Sequence, residues 1–526
     1  MVIKGLIKKG EYYDSVTLMR AVKRVNELSG VIDSAIVMGT KENRSILEAS
    51  GLMLDQFRTC IDSDLLIVVK TENDAGADKV LEEVKSVLKS VRKRDNSDST
   101  PLPRSMDAAV KIIPDANLVL ISVAGKYAGD VAMKALQRGM HVMLFSDNVP
   151  LEQEIDLKRY AVSQGLLVMG PDCGTAIING VQLAFANVVN RGDIGIVAAA
   201  GTGLQEVSCL ISNAGAGISQ AIGTGGRDVK KEVGGLMFIE SMRMLSYDEH
   251  TKIILLVSKP PHPEVLEKIG SVVKEIRKPV VAAFLGVKAD YLKKYGIIPA
   301  GSLEEAALFS VALSSGKKIG DIQNTFGKRK EAIKDIAKPE AGKLQPGQKY
   351  IRGLFSGGTF CYEAQLFLMD MVEGIYSNAP TGKSLKLENS LQSQKHTLID
   401  LGEDEFTVGR PHPMIDFSLR DKRLIEEAKD AETAVILLDI VLGYGSNPDP
   451  LKEIIPAIKK AQQTAVEGGR HLPFICSVTG TNADPQNRSK VMKGLRDAGV
   501  LVMESNAAAS TLAGFIAASV HEKKLR

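Results

Sequence analysis

Two stretches of this 526-residue chain carry the residue types that hold an anion: IGIVAAAGTGLQE at 194–206 and its rough copy IRGLFSGGTFCYE at 351–363. Each is a short apolar run, a glycine-bearing turn and the start of a helical sequence. Both contain Gly-Thr-x-x-x-Glu, as Gly201-Thr202 with Glu206 and Gly358-Thr359 with Glu363. The first N–H groups of a helix have no intrahelical partner and carry partial positive charge, so a glycine turn that admits a ligand there is a phosphate or carboxylate site. The expected donors are Gly201, Thr202 and Gly203 in the first copy and Ser356, Gly357, Gly358 and Thr359 in the second, with the threonine hydroxyls at the lip. Glu206 and Glu363 fall one turn into their helices, where they either cap the helix or take part in the site.

A second set of residues stands at other strand ends. The glycine-rich run Gly223–Asp228 brings Arg227 and Asp228 to a place where ligands gather in open α/β sheets, which makes both substrate-binding candidates. Its counterpart, Val408–Asp416 (VGRPHPMID), holds His412 between two prolines beside Arg410. The planar guanidinium of Arg410 suits a carboxylate or phosphate, and His412 is the best candidate for proton transfer. Gly443-Tyr444-Gly445, Thr479-Gly480-Thr481 and Arg488 are weaker candidates, and Lys259–Pro263 reads as simple turn chemistry. No metal site is expected, because the 5 cysteines are scattered and no His-Glu-x-x-His or paired-cysteine spacing occurs. There is no P-loop. Cys173 on a turn and Cys361 in the second copy read as buried thiols before reactive ones.

Alternating strand and helix patterns must position these residues. Residues 1–100 read as a small α/β unit that ends in the charged, Ser/Pro-rich segment RKRDNSDSTPLP. Residues 101–190 read as a second unit of βαβ crossovers, 191–316 as a third, 317–348 as an exposed polar linker with some helix, and 349–526 as a fourth. The fourth repeats the third in order: 351 answers 194, Thr397–Gly402 answers the loop at Gly223, Ala434–Val441 answers Ile253–Val257, Pro473–Val478 answers Val280–Leu285, and Gly499–Val502 answers Gly296–Ile298. Five matched elements define an internal duplication, and two copies in one chain are expected to pack as a pseudo-symmetric pair.

Composition bounds the rest. A chain of this length exceeds a single core. A net charge of +3 with no dominant basic block demands neither nucleic acid nor an anionic membrane as partner. No apolar run approaches a transmembrane span, no signal peptide is recognisable, and cysteine usage fits a reducing cytoplasm.

Gly170-Pro171-Asp172-Cys173-Gly174 followed by 195–206 resembles the junction of the CoA-binding and ligase domains in the alpha subunit of succinyl-CoA synthetases, and 351–526 resembles the ligase domain of their beta subunit. With Ser146–Val149, Val257–Pro261 and Val408–Asp416, the fused arrangement is similar to FdrA proteins over essentially the whole chain. The resemblance implies an α/β fold: a Rossmann-like CoA-binding-type domain and two duplicated flavodoxin-like (succinyl-CoA ligase-type) parallel-sheet domains behind a small N-terminal α/β domain. It also implies that the helices after Gly201 and Gly358 embrace a phosphoryl group. The synthetases phosphorylate a histidine on a loop that corresponds here to 286–300, GVKADYLKKYGIIPA, which has none. No ATP-grasp nucleotide domain is present, and the first half of the CoA-binding domain is replaced, which counts against CoA as a ligand. FdrA-type proteins are associated with allantoin and purine degradation and, with partner subunits, with an oxamate carbamoyltransferase. The resemblance therefore implies a transferase subunit in a hetero-oligomer with partner carbamoyltransferase subunits, taking phosphate or carbamoyl phosphate. Two alternatives stand beside it: acyl-CoA synthetase or CoA-transfer activity, and a non-catalytic scaffold that binds a phosphorylated metabolite.

Overall fold

A computed structural model describes residues 1–522 apart from 12, 14, 95–102, 104 and 408–410. Strands Ile253–Ser258, Val280–Phe284, Thr433–Val441 and Phe474–Thr479 of the two large sheets are buried along their whole length, as sheets covered by helices on either side require. Two of the sheets have seven strands each and the other two have three.

The duplication is visible in the strand order. One sheet runs, from its edge, Ile298–Pro299, Val280–Phe284, Ile253–Ser258, Arg191–Ala198 and Ile218–Gly223. The other runs Leu501–Met503, Phe474–Thr479, Thr433–Val441, Tyr350–Phe355 and His396–Asp400. All these neighbours pair in parallel. The sheets differ only beyond that shared order. The first is extended by the antiparallel hairpin Thr175–Ile178 and Val181–Ala184, the second by the parallel strands Ile375–Ser377 and Leu385–Lys386.

The two copies share one continuous core. Leu204 and Val207 of the Gly201–Asn213 helix, Ala306 and Phe309 of the Leu303–Ser314 helix, Phe360 and Ala364 of the Gly358–Leu368 helix, and Leu512 and Ala513 of the Asn506–Glu522 helix all belong to it. The strand-turn-helix units thus face one another across a shared apolar core, as in a fused dimer.

The remaining pieces attach to this pair. Leu118–Ile121, His141–Leu144 and Val168–Met169 form a small parallel sheet. Residues 175–184, expected within the 101–190 unit, belong instead to the first large sheet, because Ile177 pairs with Ala221. The segment 317–348, expected as an exposed linker, is largely the 25-residue helix Ile319–Lys343. Its buried residues Ile333, Ala337 and Ala341 recur every fourth position, and Ile333 and Ala337 pack into the shared core. That stripe is narrow and two of its three members are alanine, so the lysine-rich remainder conceals it. In the N-terminal unit, Val2–Lys8 and Val31–Met38 flank Leu65–Thr71 in an antiparallel sheet. Lys23 of this unit donates to the Ile415 carbonyl at 3.2 Å and pairs with Glu453 of the second copy.

Candidate functional site

The two glycine turns meet. A Cβ placed on Gly357 would lie 2.9 Å from Thr202 Cγ2, and one on Gly203 would lie 3.1 Å from Thr359 Cγ2. Each threonine therefore packs into a glycine-sized gap of the opposite copy. The paired arrangement expected of the repeat is present, and it brings Thr202, Gly203, Gly357 and Thr359 together.

The two helix ends are not equivalent, however. Ala200 at the first N-cap offers no side-chain cap, Gly201 is exposed, and nothing lies within 4 Å of its Cβ direction. That end is open to a ligand. At the second turn, the Ser356 N–H and hydroxyl donate to the two oxygens of Asp439, at 2.7 and 2.5 Å. Asp439 is fully buried, with Arg420 Nη1 at 3.7 Å. Ser356, expected to bind phosphate, is therefore turned inward and its donors are spent. Asp400 stands beside the helix start: its Oδ2 lies 2.4 Å from the Cβ position of Gly358, while its Oδ1 accepts the Gly402 N–H at 2.9 Å. A side chain at 358 would collide with that carboxylate, which explains the glycine. Burial pushes the Asp400 carboxyl up to about 7, while Lys259 from the first copy pulls the other way. The Lys259 ammonium also stands 5.6 Å from the centroid of the Tyr362 ring.

Glu206 and Glu363, expected as catalytic groups, exchange helix caps between the copies. Glu206 accepts the Asn506 N–H at 3.3 Å, at the start of the 506–522 helix, and the Thr479 hydroxyl. Glu363 accepts the Leu303 N–H at 2.8 Å, at the start of the 303–314 helix, and Asn506 Nδ2 at 2.8 Å. Each carboxylate thus satisfies an orphan donor of the other copy. Neither sits at the mouth of a turn, so the geometry makes both positioning groups. Burial pushes each up to about 7.

The glycine-rich loop departs further from expectation. Asp228 is fully buried and accepts Lys158 Nζ at 2.8 Å, the Phe238 N–H at 2.8 Å and the Met237 N–H at 3.2 Å. With its oxygens spent on a buried lysine and the start of a helix, it is a structural residue and not a substrate ligand. Arg227 pairs with Glu154 at 2.8 Å and donates to the Val149 carbonyl at 2.8 Å, which joins the small parallel-sheet unit to the first copy. A Cβ on Gly225 would lie 2.4 Å from the Pro171 carbonyl oxygen, so this loop is closed against its own chain.

His412 does lie at the paired turns. Its Nδ1 accepts the Met414 N–H at 3.2 Å, which places the ring proton on Nε2 in the neutral form. That Nε2, Asp400 Oδ1 and the Ser356 carbonyl oxygen lie 3.0, 3.1 and 3.2 Å from the Cβ position of Gly402. Burial pushes the imidazole down to about 4, so it is neutral near pH 7. Arg410 lies outside the described residues.

Asp400, Asp439, Arg420 and Asn506 were not among the sequence candidates, and Lys259 was read as turn chemistry. A signal was present for two of them, since an acidic residue inside or ending an apolar strand run, as in HTLID and AVILLDIV, needs a partner once buried. The cysteines are buried, and desolvation raises the Cys173 thiol to about 12 and Cys361 further still. A cavity of about 620 Å³ lies at the far side of the interface, among Glu304, Arg329, Phe326, Leu366, Met371 and Phe515, and does not reach the turns. Among the described residues, no group of three or more His, Cys, Asp or Glu side chains is placed to hold a metal, and no helix is long and apolar enough to cross a membrane.

Two parallel sheets joined through reciprocal turns define the class, and the family comparisons agree. Residues 354–516 match the CoA-ligase family and 189–286 the CoA binding domain, the latter on the first duplicated sheet and not on 101–190. Residues 1–102 match the AllF heavy metal-associated domain. The chain is 42% identical over 98% of its length, and 98% of the relative's, to the uncharacterized protein YahF of Escherichia coli (strain K12). It belongs to that succinyl-CoA synthetase-like, FdrA-type family. It is 30% identical to the alpha subunit of the ADP-forming succinate–CoA ligase of Aquifex aeolicus (strain VF5), over 34% of this chain and 60% of that one. To the ADP-forming sulfoacetate-CoA ligase subunit SauD of Bilophila wadsworthia it is 26% identical, over 38% and 69%. Among solved structures, the dinucleotide-forming acetyl-coenzyme A synthetase 1 of Ca. Korarchaeum cryptofilum aligns over 78% of this chain and 85% of its own, with 15% identity and a TM-score of 0.32.

Proposed function

We propose that this chain is the FdrA-like subunit of a cytoplasmic oxamate carbamoyltransferase, which converts oxalurate and phosphate to oxamate and carbamoyl phosphate with partner carbamoyltransferase subunits. The observation that carries the reading is the pair of apposed turns. One has an open helix end at Gly201, the other a resident carboxylate, and residues 286–300 contain no histidine to phosphorylate. Such a site holds phosphate as a substrate and makes no phosphoenzyme through that loop. Gly201, Thr202 and Gly203 hold the phosphate; Arg410 is the charge assigned to the dicarbonyl acid, Arg227 being paired with Glu154; His412, with its Nδ1 occupied by the Met414 N–H and its proton on Nε2, donates a hydrogen bond to the substrate and is not the proton-transfer group. No step of this reading uses CoA.

The test is phosphate-dependent formation of carbamoyl phosphate from oxalurate by the complex purified with its partners. Absence of turnover with every partner present removes the reading. A second reading, acyl-CoA ligation with a nucleotide-binding partner, is favoured by the matches to the CoA-ligase and CoA-binding families. CoA- and nucleotide-dependent thioester formation would establish it in place of the first.

A further inference from the structure

Asp400 stands at the convergence of both copies. It ends the His396–Asp400 strand beside Phe355, and Asn378 clamps its backbone, with the Asp400 N–H donating to Asn378 Oδ1 and Asn378 Nδ2 donating to the Asp400 carbonyl, both at 2.9 Å. One carboxylate oxygen accepts the Gly402 N–H at 2.9 Å, and the other lies against Gly358 at the start of the second helix. Charged and titratable groups surround it from each packed element: Lys259 from the first copy's turn, Glu403 beyond Gly402, Asp439 from the neighbouring strand, Cys361 from the helix and His412 from the 411–417 segment. Asp400 itself is 3% exposed, yet Lys259, Gly358, Gly402 and His412 around it are all partly exposed. The carboxylate therefore lies just beneath the surface at the paired turns, where it makes no ion pair among the described residues.

We propose that Asp400 is the proton-carrying catalytic carboxylate of this site, protonated while a tetrahedral oxyanion is bound and acting on the nitrogen that departs. The assignment rests on the carbamoyl-transfer reading for its chemistry and on the geometry alone for its coupling to an anion. Asp400 lies against Gly358 and the adjoining Gly357 lies against Thr202, next to Gly201, so an anion at the paired turns disfavours a second negative charge there and binding loads the proton onto Asp400. In the reaction, a phosphate oxygen forms a bond to the carbamoyl carbon and the carbon–nitrogen bond breaks. Its electron pair goes to the oxamate nitrogen, which takes the proton from Asp400. The proton that hydrogen phosphate sheds on bonding to carbon restores Asp400.

Sulfate is the probe, since it does not titrate near neutral pH. Calorimetry of the full chain with sulfate, near pH 7.5 in buffers of different ionisation enthalpy, should show a clear net proton uptake on sulfate binding. Asp400→Asn keeps an acceptor for Gly402 and should bind sulfate with no uptake. Lys259→Met, which removes the charge that opposes protonation, should move the uptake to higher pH. Equal uptake in wild type and Asp400→Asn, or binding by the wild type without uptake, overturns the proposal. No sulfate binding at all removes the anion site together with it. In the complete complex, Asp400→Asn should lower oxalurate phosphorolysis about 100-fold or more while sparing 4-nitrophenyl carbamate, whose leaving group needs no proton. A wild-type complex inactive on oxalurate rejects the carbamoyl-transfer reading and leaves the calorimetric result to decide Asp400. An active complex in which Asp400→Asn affects both substrates equally rejects Asp400 alone.

Discussion

The turn at Gly201 and the turn at Gly358 have the same topology and opposite contents. Sheet registers place Ala199 where the second copy has Ser356, Val257 where it has Asp439, and Gly223 where it has Asp400. In the first copy all three are apolar or lack a side chain, the strand ends pack through backbone, with the Ala199 N–H donating to the Val257 carbonyl at 3.0 Å, and the helix end stays free. In the second, one carboxylate takes the turn's N–H and hydroxyl while the other stands beside the helix start at Gly358. Duplication produces two potential anion sites, and three substitutions at equivalent positions convert one of them into a site that carries its own anion. The lesson is that a repeated motif predicts a repeated backbone and not a repeated ligand.

Breaking the second turn should cost most. Asp439→Ala leaves the fully buried Arg420 without its counter-charge, and the loss of stability should be about 3–5 kcal/mol by chemical denaturation. Val257→Ala, at the equivalent position, should cost only about 1–2 kcal/mol as a cavity. A similar loss in both variants would dissolve the contrast. Gly358→Ala drives a methyl onto Asp400 and should cost about 1–3 kcal/mol. Gly201→Ala, with open space beside it, should stay within about 0.5 kcal/mol, also by denaturant melts, while weakening sulfate binding at that end.

The pH dependence of stability sharpens the same contrast more gently. The carboxyls of Glu206, Glu363 and Asp400 are each raised to about 7 in the folded chain, so the folded state binds more protons than the unfolded chain between about pH 4.5 and 7. Their contribution is full below that window and is lost as pH rises through it. The melting temperature should therefore fall from pH 5 to pH 7.5. Glu206→Gln and Glu363→Gln should flatten the slope equally because the caps are reciprocal, while Asp400→Asn flattens it with no counterpart in the first copy. The smallest effect concerns Cys361: with a buried thiol raised well above its usual range, the native chain should show no iodoacetamide labelling there at pH 8 by peptide mass mapping, despite its position in the second helix.

Much of the backbone could be read beforehand because hydrophobic period and glycine placement are local properties. The repeat of 194–206 at 351–363, the order of matched strands and the meeting of the two turns all follow from it. The 317–348 segment escaped because its buried stripe contains two alanines among lysines, too weak a period to see. Asp228 was misread for a different reason. A glycine-rich loop with an Arg-Asp pair looks like a ligand site until Lys158, 70 residues earlier in the chain, is known to lie beneath it.

The sequence by itself determined the α/β architecture, the duplication and the placing of glycines at both helix starts, since each is encoded by neighbours in the chain. Only the tertiary structure decided which helix end is free, because that depends on Asp400, Asp439 and Lys259, which arrive from strand ends and a turn remote in sequence. A carboxylate held near Gly358 and a lysine reaching over from the other copy are consequences of how two sheets pack, and electrostatics at that range depends on distance in space, not on separation along the chain.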